Sequence, residues 1–250
     1  KQPRYINEEK CIACGECAEK CPIKVPDPFN GELGTRKAAF LTFPQAVPLK
    51  YAIDAKNCLY FTKGKCGICK KICPAEAVEY DQKPEILQIE AGAVILSTGF
   101  EPALTEMEGE YGYGRYKNVV TSLQYERMLS VTGPYGGHIR RPSDGKIPRK
   151  VAWIQCVMSR DLARNRPFCS SVCCMYAAKQ AVLTRSHEPD TQTTIYYMDI
   201  RAYGKGFEQF YQNAKAMGIN FIKGKVAEIT EDPETRDPIV RVEYIEEGGE

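Results

Sequence analysis

Long hydrophobic runs are missing from this chain. The best, Ala91 to Leu96, stops at Ser97, well short of the roughly 18 to 20 residues a spanning helix needs, so no membrane span is expected. No secretory leader is expected either, because Lys1 to Cys21 is charged throughout and has no apolar stretch. Charge of one sign is equally scarce: 34 basic against 32 acidic side chains leave a net charge of +2, which gives no field to attract nucleic acid or an anionic membrane. Only two histidines occur, His138 and His187. Neither has a partner at metal spacing, and both are expected in loops. With 250 residues at 43% hydrophobic content the chain can bury a core, which excludes disordered and fibrous classes.

Cysteine, in contrast, is abundant. The 12 cysteines fall into three tight groups: Cys11, Cys14, Cys17 and Cys21; Cys58, Cys66, Cys69 and Cys73; and Cys156, Cys169, Cys173 and Cys174. Disulfide scaffolds are short and spread their cysteines, whereas these are packed together in a chain without a secretory address. A reducing, cytoplasmic setting with thiolates bound to metal is the simpler expectation.

The first group reads CIACGECAEKCP, the CxxCxxCxxxCP spacing of a bacterial ferredoxin. Three cysteines on a tight loop, turned at Gly15, wrap one cluster, and the fourth is expected to point away at the start of a helix supported by Pro22. In two-cluster ferredoxins that fourth thiolate ligates the other cluster. The mate is Cys58 followed by KCGICKKICP, an internal repeat whose first gap is widened by LYFTKGK, expected to be a local loop. The spacing assigns Cys11, Cys14, Cys17 and Cys73 to one 4Fe-4S cluster and Cys58, Cys66, Cys69 and Cys21 to a second. Zinc is the alternative, but it usually takes thiolates as two CxxC pairs across a longer loop.

The segment between the halves, rich in Pro, Gly and aromatics, is expected to form short extended pieces covering the clusters, with Tyr51 and Ile53 among them. Burial and hydrogen bonds to sulfur set cluster potentials. Lys63, Lys65, Lys70 and Lys71 offer a basic face, either simply solvated or able to steer an acidic electron carrier.

From Ile86 the pattern changes. ILQIEAGAVILSTGFEP predicts a strand, a turn and a buried strand, and Ser97, Thr98 and Gly99 end it as a candidate approach to a cofactor. SLQYERMLS predicts a helix. KVAWIQC, SVCCMYAAKQAVLTRSH, TQTTIYYMD, YGKGFEQFYQNAKAMG and INFIKGKVAEI then alternate strand, helix, strand, helix, strand, with Gly218 as a helix stop, which predicts a parallel sheet. The acidic tail after Ala227 suits a hairpin. The GxGxxG of a dinucleotide site is absent after the first of these strands, where QCVMSRD stands, so NAD(P)H binding in the usual mode is not expected.

Cys156 instead occupies that strand end, and Cys169, Cys173 and Cys174 lie near the next helix start, where open sheets bind ligands. On residue types alone these are metal ligands, or two structural thiols with a redox disulfide. Asp144 in PSDG reads as a turn former, and Asp199 with Arg201 as a structural ion pair or as residues facing a cofactor crevice.

Taken together, CIACGECAEKCPIKVPD, FPQAVPL, GKCGICKKICPAEAVEYDQ, VILSTGF, GHIRRPSDGKIPRKVAWIQCVMSRD, FCSSVCCMYAAKQA and YYMDIRAYGKGFEQFY resemble the iron-sulfur flavoprotein subunit of heterodisulfide reductase over nearly the whole chain. The resemblance implies a ferredoxin-like two-cluster module (residues 1–84) followed by part of a thioredoxin-reductase-like, Rossmann-type flavoprotein domain (residues 85–250). It implies a third 4Fe-4S cluster on Cys156, Cys169, Cys173 and Cys174, close to FAD. The family's flavin-binding GxGxxG segment is not in this sequence, so an internal fragment or one chain of a split assembly is expected, with FAD bound once partner chains complete the site. Met158 stands where the family commonly has Gly.

The implied chemistry is flavin-based electron bifurcation in methanogenesis or a related metabolism. Single electrons pass between FAD, ferredoxin and a disulfide-reducing partner, with other heterodisulfide reductase subunits and an electron-donating hydrogenase or dehydrogenase as partners. It also implies a role for Lys179 near the flavin, paired with Glu126. A ferredoxin-like carrier without flavin, and a nonredox module folded by metal, are the alternatives.

Overall fold

The first cysteine motif folds as a loop closed by a single short helix. In the computed structural model, which describes residues 1–100, 102 and 109–244, Gly15 takes φ 89° and caps α1 (Glu16–Glu19), a backbone conformation that side chains with a Cβ rarely adopt. Two short antiparallel pairs follow, β1 (Lys24–Pro26) with β2 (Thr35–Lys37) and β3 (Ala39–Phe40) with β4 (Ala52–Ile53). Next come α2 (Leu59–Lys63) and α3 (Ile68–Ile72), the latter capped by Gly67 at φ 107°. All of these belong to the first of two compact units, Lys1–Gly99; the second is Phe100–Glu250.

Three details of this unit differ from expectation. In each motif a short helix begins one residue before the third cysteine and carries it, and none opens at Cys21. A residue before proline is driven out of the helical region; Cys73, before Pro74, is extended at φ -69°, ψ 109°. The proline follows the helix here instead of opening one. LYFTKGK, expected as a loop, forms α2, closed by Gly64 at φ 62° in the usual left-handed helix stop. Ile86 to Gly99, expected as strands, carries no regular structure. Ile86, Ile89, Val94, Ile95 and Leu96 there are between 78% and 98% exposed. A buried strand must pair its amide and carbonyl groups, and no strand among the described residues pairs with this one.

The core of the first unit is small and full of sulfur. Ile6, Cys11, Ala39, Ile53, Ala77 and Val78 are buried, and Cys17, Cys21, Cys58, Cys69 and Cys73 pack against them with Tyr5, Tyr51, Phe61 and Tyr80. Arg36 and Asp54, 2.9 Å apart, tie β2 to the turn before Cys58.

The second unit has an ordinary core. It opens with α4 (Ser122–Leu129), started by a reciprocal capping box between Thr121 and Gln124. The sheet follows as β5 (Lys150–Ile154), α5 (Cys173–His187), β6 (Gln192–Tyr197), α6 (Phe207–Ala216), β7 (Asn220–Glu231) and β8 (Pro238–Tyr244). The strand order is β5-β6-β7-β8; the first three run parallel, and β8 returns antiparallel as a hairpin. Residues 245–250 of the tail lie outside the described residues. Gly218, at φ 83°, stops the α6 segment as its position suggested.

Register places Trp153 beside Ile195 and Ile195 beside Phe221. Ala177, Ala178 and Ala181 are at most 2% exposed, and these small side chains let α5 lie against α4, β6 and α6. His187 sits in the last turn of α5, not in a loop, with Nδ1 3.0 Å from the Gly137 carbonyl; a histidine there suits the negative end of the helix dipole. No helix among the described residues is long and apolar enough to cross a membrane.

Candidate metal centres

None of the 12 cysteines is in a disulfide. In the first unit the helices bring them around two cavities. One is lined by Cys11, Cys14, Cys17 and Cys73 together with Tyr51 and Val78. The other is lined by Cys58, Cys66, Cys69 and Cys21, and also by Cys17, with Ala39, Ile53 and Tyr80 on its walls. The last cysteine of each motif thus lines the cavity of the opposite motif. The last cysteine of each motif lies four residues past the third, just beyond the end of the short helix that carries the third.

The donor set fits a cage better than an ion. Four thiolates on zinc, with Zn–S near 2.3 Å, would stand only about 3.8 Å from one another. Among the described residues no three such donors are drawn together that tightly. A four-iron cage fills a wider ring, and the cavities supply one.

Burial, and then the neighbouring Cys69, push the Cys17 thiol up to about 12, and burial raises Cys69 as well, against a lowering hydrogen bond with Tyr80. Cationic side chains help from outside: Lys50 donates to the Cys11 carbonyl and Lys37 to the Cys21 carbonyl, one lysine for each cavity. The Ala77 amide donates to Cys73 Sγ at 3.3 Å. No spacing rule in the sequence singles out these lysines. Lys63, Lys65, Lys70 and Lys71 are exposed.

The third group gathers at the carboxyl end of β5. Cys156 follows that strand, and Cys173 and Cys174 open α5. Burial and the proximity of Cys173 raise the Cys156 thiol. The two adjacent thiols shift one another in opposite directions, Cys173 lowered by Cys174 and Cys174 raised by Cys173, while Cys174 Sγ donates to the Asp199 carbonyl at 3.9 Å. Further donors converge on these sulfurs. The Arg201 amide lies 3.5 Å from Cys174 Sγ, the Ser171 amide 3.3 Å from Cys169 Sγ and Ser170 Oγ 3.5 Å from Cys173 Sγ. Asp199 accepts from Arg160 at 2.5 Å and from Arg201 at 3.2 Å, so the ion pair flanks the cysteine loop and includes an arginine the spacing did not flag.

The loop is strained. Cys156, Met158, Arg160, Asn165 and Ser171 all take positive φ, each at a cost of about 1 to 2 kcal/mol. Met158, at φ 56°, adopts the conformation that a glycine holds without strain.

Lys179 and Glu126 are brought together, Nζ 2.5 Å from Oε1. Burial would raise the Glu126 carboxyl, but Lys179 and Gln180 hold it below its usual value. Gln180 links them inward, accepting from Trp153 Nε1 at 3.1 Å and donating to the Ser122 carbonyl at 3.0 Å. Ser97, Thr98 and Gly99 lie in the exposed segment at the end of the first unit.

The 4Fe-4S binding domain family, Fer4, matches residues 4–27, which carry the first cysteine motif. More extensive likeness identifies the family. Over 244 residues the chain is 49% identical to the iron-sulfur subunit of the CoB--CoM heterodisulfide reductase of Methanocaldococcus jannaschii, covering 97% of this chain and 36% of that protein. It is 51% identical, with the same coverage, to the corresponding subunit of the H(2)/formate:CoB-CoM heterodisulfide,ferredoxin reductase of Methanococcus maripaludis. To the corresponding subunit of the Ferredoxin/F(420)H(2)-dependent CoB-CoM heterodisulfide reductase of Methanosarcina acetivorans it is 43% identical, covering 97% of this chain and 30% of that one. The chain belongs to this family of heterodisulfide reductase iron-sulfur subunits, and it spans about a third of the length of these relatives.

Proposed function

We propose that this chain is an electron-transfer segment of a heterodisulfide reductase, an oxidoreductase component that carries 4Fe-4S clusters at three sites. Cys11, Cys14, Cys17 and Cys73 hold cluster one, Cys58, Cys66, Cys69 and Cys21 hold cluster two, and Cys156, Cys169, Cys173 and Cys174 hold the third. The observation that carries this reading is the pair of pockets, each lined by three cysteines of one motif and the last cysteine of the other, with Cys17 reaching both. When bound, such clusters accept and release one electron at a time. The protein contributes the thiolates, the apolar walls and the hydrogen bonds to sulfur that set how readily each electron is accepted.

In the full assembly, the proposal couples these clusters to FAD, ferredoxin and a disulfide-reducing partner by electron bifurcation, with a hydrogenase or dehydrogenase as donor. On this reading Ser97, Thr98 and Gly99 approach the FAD in the first unit. In the second unit Lys179, steadied by Glu126, has a role near the flavin. Anaerobic redox titration followed by electron paramagnetic resonance tests the reading. Three one-electron signals of the cubane type are expected from the purified chain; zinc without labile sulfide would overturn it. Lys179→Ala in the complete complex tests the flavin role, and unchanged bifurcation kinetics would remove it.

A further inference from the structure

Tyr80 lies seven residues beyond the last cysteine of the second motif and belongs to no metal-ligand pattern. Its hydroxyl is 2.9 Å from Cys69 Sγ, and its ring lines the cavity that holds Cys69. Either atom could donate if Cys69 were a thiol. As an iron ligand, Cys69 is a thiolate with no proton to give, so the phenol must donate.

The ring is held for this contact. It stacks on Tyr60 at 3.8 Å with an interplanar angle of 16° and meets Phe61 edge-on at 5.6 Å. Phe61 in turn packs on Tyr5 at 4.4 Å. Tyr60 and Phe61 come from α2, the insertion that widens the first gap of the second motif and has no counterpart in the first. The tyrosine at the other cavity, Tyr51, instead lies over Gly15, where an added Cβ would meet its hydroxyl at 3.0 Å. Among the described residues Tyr51 makes no hydrogen bond to a sulfur. The α2 insertion thus builds a platform that fixes one phenol on one cluster.

We propose that Tyr80 is a positioning residue that sets the reduction potential of cluster two, by donating a hydrogen bond to the Cys69 thiolate. This inference rests on the iron-sulfur reading above. Adding one electron, from dithionite in the test, makes the cluster and its thiolates one charge more negative; no bond breaks, and the proton stays on the phenol oxygen. A hydrogen bond to a charged acceptor strengthens as that charge grows, and in a pocket of low polarity it is not screened. The reduced form is stabilised more than the oxidised form, so the bond raises the potential.

The test is an anaerobic titration of wild-type protein and Tyr80→Phe, with cluster two assigned as the signal lost in Cys66→Ala and cluster one serving as internal reference. Tyr80→Phe is expected to shift the reduction equilibrium of cluster two at least tenfold toward the oxidised form, about 59 mV for a one-electron couple, with cluster one unmoved. Incorporating 3-fluorotyrosine at position 80, which keeps the shape and makes a stronger donor, is expected to move the potential upward. It decides the matter alone if Tyr80→Phe fails to retain the cluster. Both clusters present by iron and sulfide counting, with no shift in either protein, would overturn the role of Tyr80 and leave the clusters standing. Wild-type protein without labile sulfide would overturn both.

Discussion

The two units bury different materials. In the second, Ile195, Trp153, Met128 and the alanines of α5 close a conventional core around a hydrogen-bonded sheet. In the first, the strands are two or three residues long, and most of the partly buried side chains around a core of only six residues are sulfur or aromatic. A core this small offers little apolar burial to set against chain entropy. On the proposed reading, metal is architecture in the first unit and, in the second, a guest at the end of a strand that the sheet already fixes.

Removing the metal should separate the halves most sharply. Anaerobic chelation is expected to raise amide exchange around Ile6, Ile53 and Val78 to near the unfolded level, while Ile195 and Phe221 keep their protection. Equal loss in both units would break the comparison.

Next in size is the exchange of ligands between the two motifs. Cys73→Ser is expected to abolish cluster one, although Cys73 belongs to the second motif, and Cys21→Ser to abolish cluster two. Iron counting and resonance spectra of the two variants check this, and loss of the cluster within the same motif would contradict it.

A conventional core lesion works in the opposite sense. Ile195 is 1% exposed on a central strand, so Ile195→Ala should cost about 3 kcal/mol in the unfolding of the second unit, read by denaturant, with the iron content of the first unit unchanged.

Smaller effects sharpen the picture inside the first unit. Burial would raise the Asp54 carboxyl, but hydrogen bonds from Asn57 and Arg36 hold it below its ordinary value. A depressed carboxylate contributes stability that is complete above the ordinary value of about 3.9 and fades as pH falls through the folded one. Asp54→Asn should therefore cost about 2 kcal/mol near neutral pH and flatten the acid limb of the stability curve. A cost that persists unchanged below pH 3 would assign the effect to packing.

Smallest is the contrast between the two glycine turns. Gly67→Ala meets no neighbour within 4 Å and pays only for its φ of 107°, about 1 kcal/mol. Gly15→Ala also meets the Tyr51 hydroxyl at 3.0 Å and should lower thermal stability further; equal costs would show that the tyrosine yields freely.

Much of this was legible in the sequence because spacing encodes geometry for cysteines on tight loops, and alternation encodes it for β5 through β7. Gly15 and Gly218 announced their turns because few other residues tolerate them. The Pro22 reading failed because proline suits both ends of a short helix, and only the cysteine before it reveals which. Ile86 to Leu96 has the composition of a buried strand, but a strand needs neighbours that composition cannot specify. Tyr80, Lys37, Lys50 and Arg160 reach the cysteines through space, from positions with no periodic relation to them.

The most direct measurement is an anomalous iron map of anaerobic protein. The account predicts one four-iron cage between Cys11, Cys14, Cys17 and Cys73 and another between Cys58, Cys66, Cys69 and Cys21. Single zinc peaks, bridged sulfurs, or cages held by all four cysteines of one motif would contradict it.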